Sequence, residues 1–347
     1  MKSFQIEKTS VGDGAPCFLI AENALFHDGS LGAAMAFIEA AAKSGADAVK
    51  FQTHIAEFES STQEKFRTPI FPQDKTRFEY WKRTAFSEEQ WSLLKQKAEQ
   101  AGVIFLSTPF SVEAARMLRR IGVRAWKIGS GETNNLPLLN EIASYGDPVL
   151  LSTGMSYMKE VDDAVKALTS RNVPLMLYQC TNKYPCPPEW IGLNVIAEYR
   201  NRYGIPVGLS DHSGKAATGI AAVALGAASL EVHLTWDRRC FGPDVSSSLT
   251  FDEFSEMAAG IRFIEKALRH PVDKDVSAAQ LEDTRKLFTK SIVAVAEIHA
   301  GSAIPASALS LRKPGTGIPA AELENIIGKT ATRHIQKGEF LAWEDFR

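Results

Sequence analysis

Two histidines stand at comparable places late in the chain, His212 in "GLSDHSG" (208–214) and His233 in "EVHL" (231–234). Ser210, Asp211 and His212 have the residue types of a hydrolytic triad. Neighbours on an extended segment point to opposite faces, however, and triads are assembled from distant positions, so a triad is rejected. Two imidazoles at neighbouring strand ends suit a divalent cation instead, Mn²⁺ first, with Mg²⁺ or Co²⁺ as alternatives and water or substrate completing the shell. For either histidine alone, a packed or hydrogen-bonded role is the competing reading.

Lys50 in "AVKFQ" and Lys127 in "AWKIG" are the second signal. Each is embedded among apolar strand residues, where an uncompensated charge costs several kcal/mol or loses its proton. An acidic partner such as Glu22 or Glu132 could neutralise them, or an anionic ligand could. Beside Ser130, Ser152, Asn182 and Ser210, the two lysines form a candidate cradle for phosphate and carboxylate oxygens. A Schiff-base lysine is a further alternative. Glu132, in "SGETNN", is a candidate acid–base group or a helix-cap partner, and Asp244 a candidate sugar ligand or turn former.

These residues need a scaffold that gathers them. From residue 16 the chain alternates eight short apolar runs, "PCFLIAE", "DAVKFQT", "VIFLSTP", "RAWKIGS", "PVLLST", "PLMLYQC", "IPVGLS" and "SLEVHL", with helical patterns such as "LGAAMAFIEAAAKS". Their apolar continuity predicts parallel strands buried on both faces. Gly45, Gly102, Gly122, Gly146, Gly204, Gly226 and Asn172 mark seven helix-to-strand joints. Eight β/α units predict a closed (β/α)₈ TIM barrel, and no GxGxxG follows the first strand to favour an open doubly wound sheet. All the polar strand ends then meet at one rim.

The barrel is expected over residues 1–268, a charged linker over 269–286, and a small β-rich module over 287–347. In that module Ile298, Gly301, Ile304 and Leu309 repeat as Ile335, Gly338, Leu341 and Phe346. About 60 residues fold alone only marginally, so docking on a barrel is expected.

With 39 basic and 41 acidic residues the net charge is −2. This gives no global attraction to nucleic acid or an anionic membrane. No apolar run approaches the ~20 residues of a membrane span, and the first residues lack a secretory core. Four cysteines without a CxxC pair predict a reduced, cytoplasmic protein.

In order, "IAENALFHDGS", "GADAVKFQT", "FLSTPFS", "WKIGSGE", "LLSTGM", "YQCTNKYPCPPE", "GLSDHSG" and "EVHLTWDRRCFGPDVSSSL" resemble the successive motifs of sialic acid (N-acetylneuraminate) synthases. "LRKPGTGIP…IIGKTATRHIQKGE" resembles their antifreeze-like (SAF) domain. The resemblance implies condensation of phosphoenolpyruvate with an open-chain N-acetylhexosamine, giving a nine-carbon 2-keto sugar acid and phosphate. It implies His212 and His233 as metal ligands, and Lys50, Lys127, Ser130, Ser152, Asn182 and Ser210 around phosphoenolpyruvate. Glu22 and Gln52 would touch the sugar or the attacking water, Glu132 would manage protons, and Thr108, Phe110, Tyr184 and Asp244 would line the sugar site. A homodimer is implied, the small domain of one subunit capping the other's barrel.

The chain departs from the family pattern in three places. "AENALFHDG" replaces "AEIGINHNG", "EVH" replaces "EKH", and "LRKPG" replaces "KRPG", so that Lys313, preceded by Arg312, stands where the family offers an arginine to the sugar. These differences sit near the sugar and leave the acceptor open, with legionaminic or another nonulosonic acid as alternative products. A Schiff-base pyruvate aldolase and a non-catalytic sugar-binding barrel are the competing functions.

Overall fold

The computed structural model describes residues 3–23, 25–66 and 73–347; Ala24, in the first-loop motif, lies outside them. Its backbone forms two compact units, residues 1–269 and 270–347. The first opens with an antiparallel hairpin, β1 (Phe4–Ile6) and β2 (Thr9–Val11). Eight parallel strands follow: β3 (Phe18–Glu22), β4 (Ala48–Thr53), β5 (Ile104–Pro109), β6 (Trp126–Ile128), β7 (Val149–Ser152), β8 (Leu175–Cys180), β9 (Val207–Asp211) and β10 (Ser229–Thr235). β10 pairs with both β9 and β3, which closes the barrel. The eight predicted strands are all present, and the seven predicted joints all have positive φ.

Between β3 and β4 runs α1 (Leu31–Lys43), started by Ser30, whose side chain accepts from the Ala33 amide. The β4–β5 connection is much longer. It carries α2 (Ala56–Glu59) and α3 (Arg77–Thr84) before α4 (Glu88–Ala101), and reciprocal capping boxes start α3 and α4. The other outer helices are α5 (Val112–Arg120), α6 (Leu136–Ala143), α7 (Met158–Thr169), α8 (Leu193–Tyr203), α9 (Ala216–Ala224) and α10 (Phe251–Leu268). A two-residue strand, β11 (Leu249–Thr250), pairs with the end of β10 ahead of α10.

Strand alternation sorts the side chains. Leu19, Ala21, Val49, Phe51 and Phe105 pack outward with the helices. Phe18, Ile20, Ala48, Leu106, Leu150, Met176 and Tyr178 fill the interior, joined by Ile6 and Val11 of the hairpin. Two residues further along each strand the inward position turns polar: Glu22 after Ile20, Lys50 after Ala48, Ser152 after Leu150. The barrel is therefore greasy at one end of its interior and charged at the other.

The second unit begins with two short helices, α11 (Lys274–Gln280) and α12 (Glu282–Phe288), over most of the stretch read as a linker. An antiparallel pair follows, β12 (Ser291–Ala294) and β13 (Leu309–Arg312). Ile298, Ile304, Leu309, Ile335, Leu341 and Phe346, the apolar members of the sequence repeat, all enter one core. Ile298 and Ile335 bridge directly, and Gly301 and Gly338 share a left-handed backbone, φ 78° and 93°.

Tyr178 separates the greasy and charged layers. Its hydroxyl donates to Ser229 Oγ at 2.6 Å, and that oxygen donates to the Phe18 carbonyl at 2.6 Å. A methyl at Gly208 would lie 2.7 Å from the Tyr178 ring and 2.9 Å from the Ser229 carbonyl oxygen. Gly208→Ala is therefore expected to cost about 1–3 kcal/mol by overpacking, measured by denaturant unfolding. Gly32→Ala in α1, where the new methyl meets only Ser30 Oγ at 3.9 Å, should cause no such loss.

Candidate active site at the barrel mouth

Parallel registry brings the charged residues together. Glu22 lies opposite Lys50 on one side and His233 on the other, and Glu231 lies opposite Ser210. The Lys50 ammonium is 2.8 Å from Glu22 and 3.6 Å from Glu231; the Lys127 ammonium is 3.3 Å from Glu231. All four side chains are at most 5 % exposed. Thus acidic partners, rather than a ligand alone, balance the two lysines, and the cluster is formally neutral. Hydroxyls extend it: Lys127 donates to Ser152 Oγ at 2.6 Å, Lys50 to Thr108 Oγ1 at 3.3 Å, and Ser210 to Glu231 at 3.1 Å.

The four charges are not equivalent. Burial would raise the Glu231 carboxyl, but flanking by Lys127 and Lys50 outweighs it and holds the group below the ordinary carboxylate range. Burial lowers Lys127; the Glu231 carboxylate opposes this and the like charge of Lys50 adds to it, leaving the ammonium below its usual value. Burial raises Glu22 against the pull of Lys50. Lys127 and Glu22 are consequently the members whose charges are most readily lost.

Above the cluster opens a cavity of about 420 Å³, within the range of small-molecule sites. Lys50, Gln52, Ser152, Asn182, Ser210 and Glu231 line its polar part. Ser130 also lines it, and accepts from the Gly154 amide at 2.9 Å. Leu25, Tyr80, Trp81, Phe110 and Met155 line a contrasting apolar part. Thr108, Tyr184, His212, His233 and Asp244 complete the predicted residues on its wall.

Three predicted residues of the first unit stand off the wall. Lys127 sits behind Ser152, and Glu22 lies beneath Gln52, whose Nε2 donates to it at 2.9 Å. Glu132 is half-buried in the turn after β6, accepting from Asn135 Nδ2 at 2.6 Å, and burial raises its carboxyl against that bond. Arg312 and Lys313 belong to the second unit, where the Lys313 ammonium lies 4.9 Å above the Phe288 ring.

His212 and His233 are adjacent, their ring centroids 5.0 Å apart. His212 Nδ1 lies 2.9 Å from the Thr181 carbonyl. That oxygen can only accept, so Nδ1 carries a hydrogen, and Nε2 is the nitrogen turned to the cavity side. Nε2 faces the Tyr184 hydroxyl at 3.0 Å, and Tyr184 stacks on the imidazole at 4.0 Å. His233 Nδ1 is 3.6 Å from Asp244 Oδ2. A backbone carbonyl behind one imidazole and a carboxylate beside the other is the support that metal-binding histidines use. Among the described residues no cluster of three or more His, Cys, Asp or Glu donors forms. Two imidazoles by themselves could hold a cation only with its other ligands supplied by substrate or water.

The sequence reading puts Glu231 at the rim with His233, where strand alternation turns both inward, but gives it no role. It passed over Tyr80, Trp81 and Arg77 of α3. The signal for these was the length of the β4–β5 connection, since barrel loops that long usually carry function. Glu64 ties this excursion together, meeting Arg77 at 3.1 Å and accepting from Trp81 Nε1 at 3.1 Å.

Comparison with known proteins agrees with the geometry. Residues 37–273 match the model of the NeuB family and residues 289–347 that of the SAF domain. The chain is 34% identical to human N-acetylneuraminate-9-phosphate synthase, covering 96% of this chain and 94% of the relative. It is 34% identical to the N,N'-diacetyllegionaminic acid synthase of Legionella pneumophila, covering 96% and 95%. A crystal structure of N-acetylneuraminic acid (sialic acid) synthetase from Leptospira borgpetersenii, in complex with citrate, superposes with a TM-score of 0.73 at 30% identity, covering 82% of this chain and 96% of that one. With the NeuB model matched over most of the barrel and the SAF model over the C-terminal domain, this chain belongs to the NeuB family of sialic and nonulosonic acid synthases.

Proposed function

We propose that the protein condenses phosphoenolpyruvate with the open-chain form of an N-acetylated hexosamine, N-acetylmannosamine or a related sugar, releasing phosphate and a nine-carbon 2-keto sugar acid. The observation that carries this reading is the convergence of two imidazoles, Lys50 and several hydroxyls on one cavity, with Lys127 directly behind Ser152, in a chain of this family. In the reaction, C3 of phosphoenolpyruvate bonds to the sugar's aldehyde carbon, water adds at C2, and the C2–O bond to phosphate breaks.

Lys50, Ser130, Ser152, Asn182 and Ser210 would hold phosphoenolpyruvate from the cavity wall, with Lys127 supporting Ser152 from behind. Because the lysines already face carboxylates, an arriving anion gains most if a carboxylate takes up a proton. Glu22, which burial already raises, is suited to do so. His212 and His233 would hold a divalent cation, Mn²⁺ or alternatively Mg²⁺ or Co²⁺, which when bound polarises the aldehyde as a Lewis acid. Gln52, Thr108, Phe110, Tyr184 and Asp244 would hold the sugar, and Glu132 would move protons during water addition.

We also read the working unit as a homodimer in which Arg312 and Lys313 reach the sugar site of a second copy. We place it in the cytoplasm, a reading that the four unpaired cysteines support.

Phosphate release should require phosphoenolpyruvate, an acceptor from a panel of N-acetylated hexosamines, and the cation together. Chelation should abolish it, and His212→Ala or His233→Ala should lower kcat about 100-fold or more. Borohydride with pyruvate should trap no adduct; a covalent adduct without phosphate release would favour the aldolase.

Glu132→Gln separates chemistry from stability. A carboxyl raised in the fold binds more protons than in the unfolded chain, so wild-type stability falls as pH climbs from the ordinary carboxylate range through the raised value. Glu132→Gln should lose that decline, be the more stable protein at pH 7, and lose turnover. Light scattering should find a dimer; a fully active monomer would exclude the shared site.

A further inference from the structure

Gln52 connects the buried charges to a pair of residues beyond them. Its Nε2 donates to Glu22 Oε1 at 2.9 Å, so its Oε1 is left to accept. The group facing that oxygen is His54 Nε2, at 3.2 Å, while His54 Nδ1 lies 2.6 Å from Glu59 Oε1. The ring itself is clamped. Trp81 stacks on it at 3.7 Å with 9° between planes, and Phe110 at 4.4 Å with 12°. The His54 side chain is 5 % exposed and that of Glu59 7 %.

This arrangement dictates where hydrogens must be. With Gln52 Oε1 accepting, His54 Nε2 must carry a hydrogen, and a proton bridges Nδ1 and Glu59. A buried imidazole packed between two rings has no need of an acid behind it. One whose Nε2 must face an acceptor does, because Glu59 on Nδ1 holds the ring in that orientation and keeps it from turning over.

We propose that His54 and Glu59 are positioning residues, which lock the Gln52 amide so that it donates to Glu22 and presents its remaining surface to the cavity. The chain Glu59–His54–Gln52–Glu22–Lys50 then ties the excursion after β4 to the charges at the barrel's centre. Its catalytic consequence rests on the reaction proposed above; the placement of hydrogens does not.

Two measurements test it on the full chain. NMR with ¹⁵N-labelled histidine, the His54 signals assigned by their loss in His54→Phe, should show Nε2 protonated at neutral pH. A bare Nε2, with Gln52 turned over and donating to it, would overturn the proposal whether or not the protein is a synthase.

Kinetics provide the second arm. His54→Phe keeps a ring between Trp81 and Phe110 but no donor. It should melt within a few degrees of wild type, lose about 10- to 100-fold in kcat and keep its KM for phosphoenolpyruvate. Glu59→Gln, whose amide can still donate to Nδ1, should retain most turnover, whereas Glu59→Leu should match His54→Phe. Combining His54→Phe with Gln52→Ala should cost no more than the worse single change. A His54→Phe enzyme with wild-type kcat, or losses that multiply in the double variant, would refute the positioning role; if His54→Phe fails to fold, the contrast between Glu59→Gln and Glu59→Leu decides.

Discussion

Two ammonium groups and two carboxylates share a space almost closed to solvent, and the rest of the site is arranged around keeping that tolerable. Isolated, any one of them would be too costly to bury. Together, Glu231 spans both lysines and Glu22 closes on Lys50, while Ser152, Ser210 and Thr108 supply the remaining hydrogen bonds. The arrangement is cheap only if every member is held in register, and parallel strand pairing provides that: the partners of Glu22 are set by the same ladder that closes the barrel. Catalytic geometry and barrel closure thus rest on one constraint.

The cavity above this cluster has two chemistries. Its floor is polar and rigid, built from strand ends. Its apolar flank is aromatic and comes largely from the excursion after β4, where Tyr80 and Trp81 pack with Leu25 and Ala56 in a small core of their own. A division of this kind lets the strands serve a reaction step common to a family while a loop adjusts which acceptor is received. Leu25, in the loop that departs most from the family pattern, lies on that flank with a left-handed backbone, φ 64°.

Much of this was readable from the residues. Eight apolar runs separated by helices implied the barrel, and the polar residue at each run's end implied the rim. His212 and His233 met as expected because their strands are neighbours. What local pattern could not reveal was pairing across the interior. For Lys50 or Lys127 alone an ion pair is the first reading and the pair with its hydroxyls points to an anion cradle; that Glu231 stands between them appears only in the fold. Likewise, nothing in "KFQTH" indicates that His54 lies between two rings drawn from different elements, since Trp81 and Phe110 are brought there by folding. Periodicity reports which face a residue occupies; it does not report what stands opposite.

The hairpin at the start of the chain has a consequence for traffic. Ile6 and Val11 are fully buried among the interior residues at the greasy end, so the barrel is stoppered there like a flask. With that end filled, the charged floor faces solvent from the other end, where among the described residues the aromatic flank lines the same cavity.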